Sequence, residues 1–334
     1  NVDTGRIMGA GIEAQWTVTF GAAKPGFHIW DGPRCVGELH ELDIGFPDKA
    51  LEECATSHFL FDCHTARKFI PHRDDNSNKS KNGRVVIAAG KGEMWGAAIL
   101  ASKAAFRGGA GYVELVSFDD PAPVVAAVPD AIVHKIDEKF EPNPENIFVI
   151  GPGLGVTEST EKLIDRLIKA QCRNVVLDAD AITAVSNMKL KSLPESWILT
   201  PHSGELSRLL PLTAIAVDQD RFAAVEMFAR QYRCALLLKG YKTIVGRMGY
   251  YDVINSGNSA LSTAGTGDVL SGLIGGLCAQ GLSLFDAAGL GAYLHGTTAD
   301  CWVKEGNAKN SMMASDILDL LPRAFQQTLD YEEV

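Results

Sequence analysis

Residues 147–155 read Ile-Phe-Val-Ile-Gly-Pro-Gly-Leu-Gly, four apolar residues that run straight into a glycine-rich turn. Apolar character that is continuous rather than alternating marks a strand buried on both faces. Beyond the turn, Glu158 to Lys169 carries helical spacing. Strand, tight turn and capped helix form the repeating unit of a parallel sheet whose helices act as right-handed crossovers.

The unit recurs on both sides. Upstream, Val85 to Ala89 leads into a helix from about Glu93 to Arg107 and then Tyr112 to Val116. Downstream, Asn174 to Leu177, Trp197 to Leu199 and Ala235 to Leu238 are short apolar runs, with a helical pattern over Asp218 to Tyr232. After Lys242 the pattern changes to two paired strands, Lys242 to Val245 and Tyr250 to Ile254. Three helices then close the chain, at about Asp268 to Gln280, Phe285 to Ala299 and Ala314 to Gln327. The expected fold class is α/β, a largely parallel central sheet with helices on both faces.

The chain before Arg84 has another texture. Trp16 to Phe20 and Glu38 to Ile44 read as strands separated by Lys24-Pro25-Gly26 and Asp31-Gly32-Pro33 turns. Two or three strands bury too little surface to stand alone. We therefore expect a small N-terminal piece over 1–50, a linker over 51–83 and the large domain over 84–330.

The 334 residues carry a formal net charge of −10 and 46% hydrophobic content. That balance supports a sizeable core and argues against nucleic acid or an anionic membrane as partner. No apolar run is long enough to span a bilayer, and no leader pattern opens the chain. A cytoplasmic, homo-oligomeric protein is expected. Seven cysteines without a Cys-x-x-Cys suit a reducing compartment. Cys54, His58, Cys63, His64 and His72 crowd together, but their spacing matches no structural zinc pattern and reads as connector, so no metal ligand is assigned.

The chemistry concentrates in residues 255–272, Asn-Ser-Gly-Asn-Ser-Ala-Leu-Ser-Thr-Ala-Gly-Thr-Gly-Asp-Val-Leu-Ser-Gly. Gly265 and Gly267 let a ligand approach the backbone, and the free amides of the following helix favour an anion, phosphate above all. Asp268 beside a phosphate needs a task, and accepting a proton from an attacking hydroxyl is the best one. A plain loop with an N-capping Asp is the alternative.

Other motifs fall at strand carboxyl ends, where ligands bind in open α/β sheets. Gly151 to Gly155 is either a ligand approach or only a tight turn, and it lacks the Lys and Ser or Thr of a Walker A loop. His202 stands just after a strand, with Ser203 as expected helix cap and Glu205 as first-turn acid. Lys239 emerges at the same rim, suited to phosphate charge. Asp178 and Asp180 either cap the next helix or capture a metal, and capping is preferred for want of a third ligand nearby.

In order and spacing, Gly96-Ala97-Ala98-Ile99-Leu100, Arg107-Gly108-Gly109-Ala110-Gly111, Gly151 to Gly155, Leu177-Asp178-Ala179-Asp180, Thr200 to Glu205, Leu238-Lys239-Gly240 and Ala264 to Gly272 resemble the ADP-dependent NAD(P)H-hydrate dehydratases, members of the ribokinase-like superfamily. The likeness runs from about Ile70 to Pro322. It implies a ribokinase-like fold and a carbon–oxygen lyase of nicotinamide nucleotide repair. It implies that Ala97, Gly153, His202 and Asp268 contact the hydrated nicotinamide nucleotide, with Asp268 as catalytic base. It similarly implies that Lys239, Gly240, Tyr241, Lys242 and Thr243, with Gly265, Thr266 and Gly267, surround an adenine nucleotide, ADP or ATP, with Mg²⁺ on its phosphates. A small-molecule kinase on the same fold is the alternative, and a non-catalytic nucleotide-binding subunit a more distant one.

Ser80, Lys91 and Val156 depart from the family's common pattern, and the latter two alter charge near a phosphate. Asp3-Thr4-Gly5, Thr17-Val18-Thr19-Phe20, Lys24-Pro25-Gly26 and Glu38 to Pro47 resemble the closing third of an NAD(P)H-hydrate epimerase domain. The family's acidic epimerase residue would lie upstream of Asn1, so no epimerase activity is expected of this chain by itself.

Overall fold

The computed structural model describes residues 1–53, 56–137 and 139–331. The N-terminal piece runs β1 (Trp16–Phe20), α1 (Pro25–His28), α2 (Gly32–Val36), β2 (Glu38–Leu42) and α3 (Asp48–Glu53). There follow β3 (His58–Phe61), α4 (Cys63–Phe69), β4 (Arg84–Ala88), α5 (Trp95–Arg107), β5 (Tyr112–Ser117), α6 (Ala122–Val125), β6 (Ile132–Lys135), β7 (Ile147–Ile150) and α7 (Glu158–Lys169). Next come β8 (Asn174–Leu177), α8 (Ala179–Met188), β9 (Ile198–Leu199), α9 (Ser203–Leu209), α10 (Ala214–Gln219), α11 (Arg221–Tyr232) and β10 (Ala235–Leu238). The chain closes with β11 (Ile244–Arg247), β12 (Tyr250–Ile254), α12 (Thr266–Ala279), α13 (Leu284–Lys304) and α14 (Ala314–Leu329).

Among the described residues a ten-stranded sheet has the order β3-β12-β11-β10-β9-β8-β7-β4-β5-β6. From β10 through β6 every pairing is parallel, whereas β11 is antiparallel to both β10 and β12. The strands are apolar on both faces because each face has its own helical layer. Val85, Ile87, Val149 and Val176 pack toward α5, α12, α13 and α14, and Val86, Phe148, Ile150 and Leu177 toward α7, α8, α9 and α11. Fully burying one such valine or isoleucine contributes roughly 1.5–3 kcal/mol.

Local chemistry sets the helices. At the start of α7 the Thr157 side chain accepts from the Thr160 amide, acids fill the first turn and Arg166 and Lys169 the last, as the helix dipole favours. The most intimate packing joins α5 and α12. A Cβ at Gly272 would meet the Ala101 carbonyl oxygen at 2.1 Å, and one at Gly276 would meet that of Ala105 at 2.3 Å. Glycines four apart thus let the two backbones touch, which fixes the start of α12 relative to α5.

Several boundaries differ from the sequence expectation. His58 to Phe61, within the span read as linker, forms β3 and pairs in parallel with β12, and α4 after it carries buried Ala66. The segment is recruited by a partner nearly two hundred residues away, which no local pattern reveals. The closing helices α12 and α13 also begin one or two residues earlier than expected and α13 runs on to Lys304. Of the cysteine and histidine cluster, Cys54 lies outside the described residues. The six cysteines among the described residues are free. No helix there is long and apolar enough to cross a membrane.

Candidate functional site

The chain leaves β4 for β5 on one side and returns to β7 on the other, so β4 and β7 flank the point where strand order reverses. Open α/β sheets bind ligands beyond the carboxyl ends of the strands at such a point. Here the two loops are stitched together, Gly90 N–H to Pro152 O at 2.9 Å and Gly151 N–H to Ala88 O at 3.1 Å. Gly153, at φ +58°, lies so close to α5 that a Cβ would meet Met94 Cβ at 2.7 Å and Ala97 Cβ at 3.3 Å. Gly153 and Ala97 are therefore neighbours across the switch point.

Next to them α12 begins. Gly265 occupies the left-handed region at φ +89°, where a side chain would also strike Leu100 Cδ1 at 2.7 Å. Thr266 Oγ1 donates to the carbonyls of Leu261 and Thr263, both at 3.1 Å, and so ties down the turn. No described residue accepts a hydrogen bond from the backbone amides of Thr266, Gly267 or Asp268. Three donors at the positive end of a helix are thus available to an anion.

Asp268 sits in this first turn, half-buried. Burial, then the charge of Asp178, raises its carboxyl to about 7; Lys239 lowers it, and Asp180 and Glu205 raise it further. Desolvation and the three nearby carboxylates thus hold Asp268 above its ordinary value. A base poised near neutrality results, which suits proton transfer.

The neighbouring charges form one cluster. Lys239 Nζ lies 2.9 Å from Asp178 Oδ1 and 3.7 Å from Glu205 Oε2. Burial alone would lower the ammonium, but Asp178, then Glu205, more than offset this and leave it above its ordinary value. A Cβ at Gly267 would come within 3.3 Å of that ammonium. Asp178 follows β8 at the cap position of α8 yet makes no capping bond, and Asp180 Oδ2 accepts from the Gly155 amide at 2.8 Å. The capping reading of these two acids is thus replaced by tertiary pairing.

His202, not Ser203, caps α9. Its Nδ1 accepts from the amides of Gly204 at 3.0 Å and Glu205 at 3.3 Å, while Glu205 Oε2 accepts from the His202 amide at 2.9 Å. Accepting at Nδ1 leaves Nε2 as the donor of the neutral ring. Ser203 instead donates to Asp218. The ring of His202 is exposed and joins the charge cluster through Glu205, 3.7 Å from Nε2.

Beside the cluster opens a pocket of about 370 Å³. Lys239, Gly240, Tyr241, Lys242, Thr243, Thr266 and Gly267 line it, whereas Gly265, Asp268, Ala97, Gly153 and His202 stand outside its wall on the side of the switch point. Two residues not anticipated from sequence hold its shape. Arg221 donates to the carbonyls of Leu238 (2.7 Å), Tyr241 (2.7 Å) and Lys242 (2.9 Å), and burial lowers it to about 10. His295, lowered to about 4 by burial, stays neutral and meets the Thr266 carbonyl at 3.0 Å. A larger cleft of about 670 Å³ lies at the amino-terminal edges of β8 and β10, away from all of these groups, and Glu195, Arg230, Arg233 and Arg247 of mixed sign line it. Strand amino ends are not where such sheets bind ligands.

Among the described residues no three His, Cys, Asp or Glu converge as a metal cage. Asp178 and Asp180, the best placed acids, are spent on Lys239 and the Gly155 amide.

The family profile described as NAD(P)H-hydrate dehydratase matches residues 85–323. The bifunctional NAD(P)H-hydrate repair enzyme Nnr of Moorella thermoacetica is 36% identical over 96% of this chain and 64% of its own length. The chain thus spans under two thirds of that relative. The ADP-dependent (S)-NAD(P)H-hydrate dehydratase of Neisseria meningitidis is 36% identical over 76% of this chain and 89% of its own. The crystal structure of the ADP/ATP-dependent NAD(P)H-hydrate dehydratase from Bacillus subtilis, co-crystallized with ATP/Mg²⁺, superposes with a TM-score of 0.71 at 30% identity, covering 81% of this chain and 98% of that one.

Proposed function

The chain belongs to the NAD(P)H-hydrate dehydratase family and has its ribokinase-like fold, and on that premise we propose that it dehydrates (6S)-NAD(P)H hydrate to NAD(P)H at the expense of ADP, releasing AMP and phosphate. The observation that carries this reading is the start of α12, where a carboxyl poised at about 7 adjoins three unpaired amides and a pocket of nucleotide size.

The chemistry needs both parts. Hydroxide is a poor leaving group, so the C6 hydroxyl of the hydrate must be converted into a better one. Asp268 takes the hydroxyl proton as the oxygen attacks the β-phosphorus of ADP, and the bond from that phosphorus to AMP breaks. The amides of Thr266 to Asp268 hold the phosphoryl oxygens as charge shifts between them. The ring nitrogen then drives out phosphate by cleavage of the C6–O bond, and loss of a proton from C5 restores the double bond. The adenine nucleotide occupies the pocket walled by Lys239 to Thr243, and the nicotinamide portion lies over Gly153 and Ala97 with His202 at its border. Mg²⁺ bound with the nucleotide would offset the charge of its phosphates.

The test is hydrated NADH with ADP and Mg²⁺, following the absorbance of reduced nicotinamide together with AMP and phosphate. Equimolar appearance of all three is expected. A phosphorylated product that retains its phosphate would mean a kinase instead, and nucleotide binding without turnover would mean a non-catalytic subunit.

A further inference from the structure

Asp178 has no assigned part in the reaction, yet it is among the most buried charged groups of the molecule, at 1% exposure. Its backbone is locked, with N–H to Ile150 O at 3.0 Å and a carbonyl packed so tightly on Gly151 that a Cβ there would approach to 1.9 Å. The next residue, Ala179, is held at φ +45°, a region that costs any residue with a side chain. An Asp at a helix cap position ordinarily bonds the helix amides. This one turns away from α8 to reach Lys239, sixty-one residues further along the chain.

We propose that Asp178 is a positioning residue: it clamps Lys239 against the first turn of α12, so that the lysine remains a fixed counter-charge to Asp268 and does not swing out onto the nucleotide. The inference rests on the reading of Asp268 as proton acceptor. Its geometric basis is that Lys239 lies between Asp178 and Glu205 with Gly267 directly beside the ammonium, and leaving would strand two buried carboxylates. The other groups facing Asp268 do not replace this pair. Asp180 is held by Gly155, Glu205 is shared with the His202 amide, and His295 is spent on the Thr266 carbonyl.

Two measurements on the full chain decide the matter. In nucleotide-free protein, the carboxyl carbon of Asp268 is titrated by ¹³C NMR in wild type, Lys239→Met, Asp178→Asn and the double variant. If Asp178 clamps the lysine, Lys239→Met should raise the Asp268 midpoint in the wild-type background by about one pH unit or more, and should move it little in the Asp178→Asn background, where the ammonium has already left. A rise of the same size in both backgrounds overturns the proposal, even if turnover falls. Should Asp178→Asn not fold, a crystal structure of the wild type with Mg²⁺ and ADP carries the test: Lys239 Nζ still hydrogen-bonded to Asp178 supports the clamp, and Nζ moved off Asp178 onto a phosphate refutes it. A Lys239 effect that depends on Asp178, in a protein without dehydratase turnover, would sink the proposed function and leave the clamp intact.

Discussion

Two strands of the chain, both paired in parallel with a neighbour, meet very different fates. In β7 all four residues are buried, sandwiched between helical layers. In β1, paired in parallel with β2, Trp16, Val18 and Phe20 are 66%, 51% and 54% exposed. The same strand chemistry is finished in one region and uncovered in the other. Parallel strands normally lie covered on both faces, so the large sheet is expected to hold most of the stability and to carry the proposed chemistry, and the N-terminal pair little of either.

The hardest blow to that contrast falls at the site. Asp268→Asn should lose on the order of 10²-fold or more in turnover while still binding nucleotide; near-normal turnover would remove the residue from the mechanism. At the core of the same unit, Gly272→Ala drives a methyl group into the Ala101 carbonyl and should cost about 1–3 kcal/mol, read as a lowered Tm.

A pH series sharpens the comparison. Burial and nearby carboxylates raise Asp268 to about 7 in the folded state. A carboxyl whose value is raised on folding favours the native state at low pH and loses that contribution as pH climbs through about 7. The acid limb of kcat/KM should therefore lie near 7, and Asp268→Asn should have a higher Tm than wild type at pH 8, with the gap closing by pH 4. A limb near the ordinary aspartate range would refute the burial argument. Smallest of all, Trp16→Ser on the uncovered pair should change stability by no more than about 0.5 kcal/mol. A larger loss would show that this face packs on something the contrast ignores.

Where local pattern and tertiary role coincide, the sequence was legible. Val85 to Ala88, Ile147 to Ile150 and Ala235 to Leu238 are apolar because both faces are covered, and Gly265-Thr266-Gly267-Asp268 opens a helix in an unbound state of its amides. What escaped depends on pairing across the chain. His58 to Phe61 becomes a strand only because β12 offers an edge, and β9 is two residues long. Asp178 looks like a cap because the residue type at that position usually is one, and nothing within its own helix announces Lys239. Arg221 carries no signal beyond being a charged residue at a helix start, yet it gathers the carbonyls of the loop that walls the pocket. The position of Asp268 could be read, but its proton affinity could not, since the four charged groups that set it, Asp178, Lys239, Asp180 and Glu205, all come from other segments of the chain.

The most direct test of the account follows the oxygen atom. With hydrate labelled by ¹⁸O at the C6 hydroxyl, ADP and Mg²⁺, transfer to that oxygen followed by C6–O cleavage predicts that the label appears in the released inorganic phosphate. Label recovered in water, with unlabelled phosphate, would contradict phosphorylation of the hydroxyl and with it the role given to Asp268.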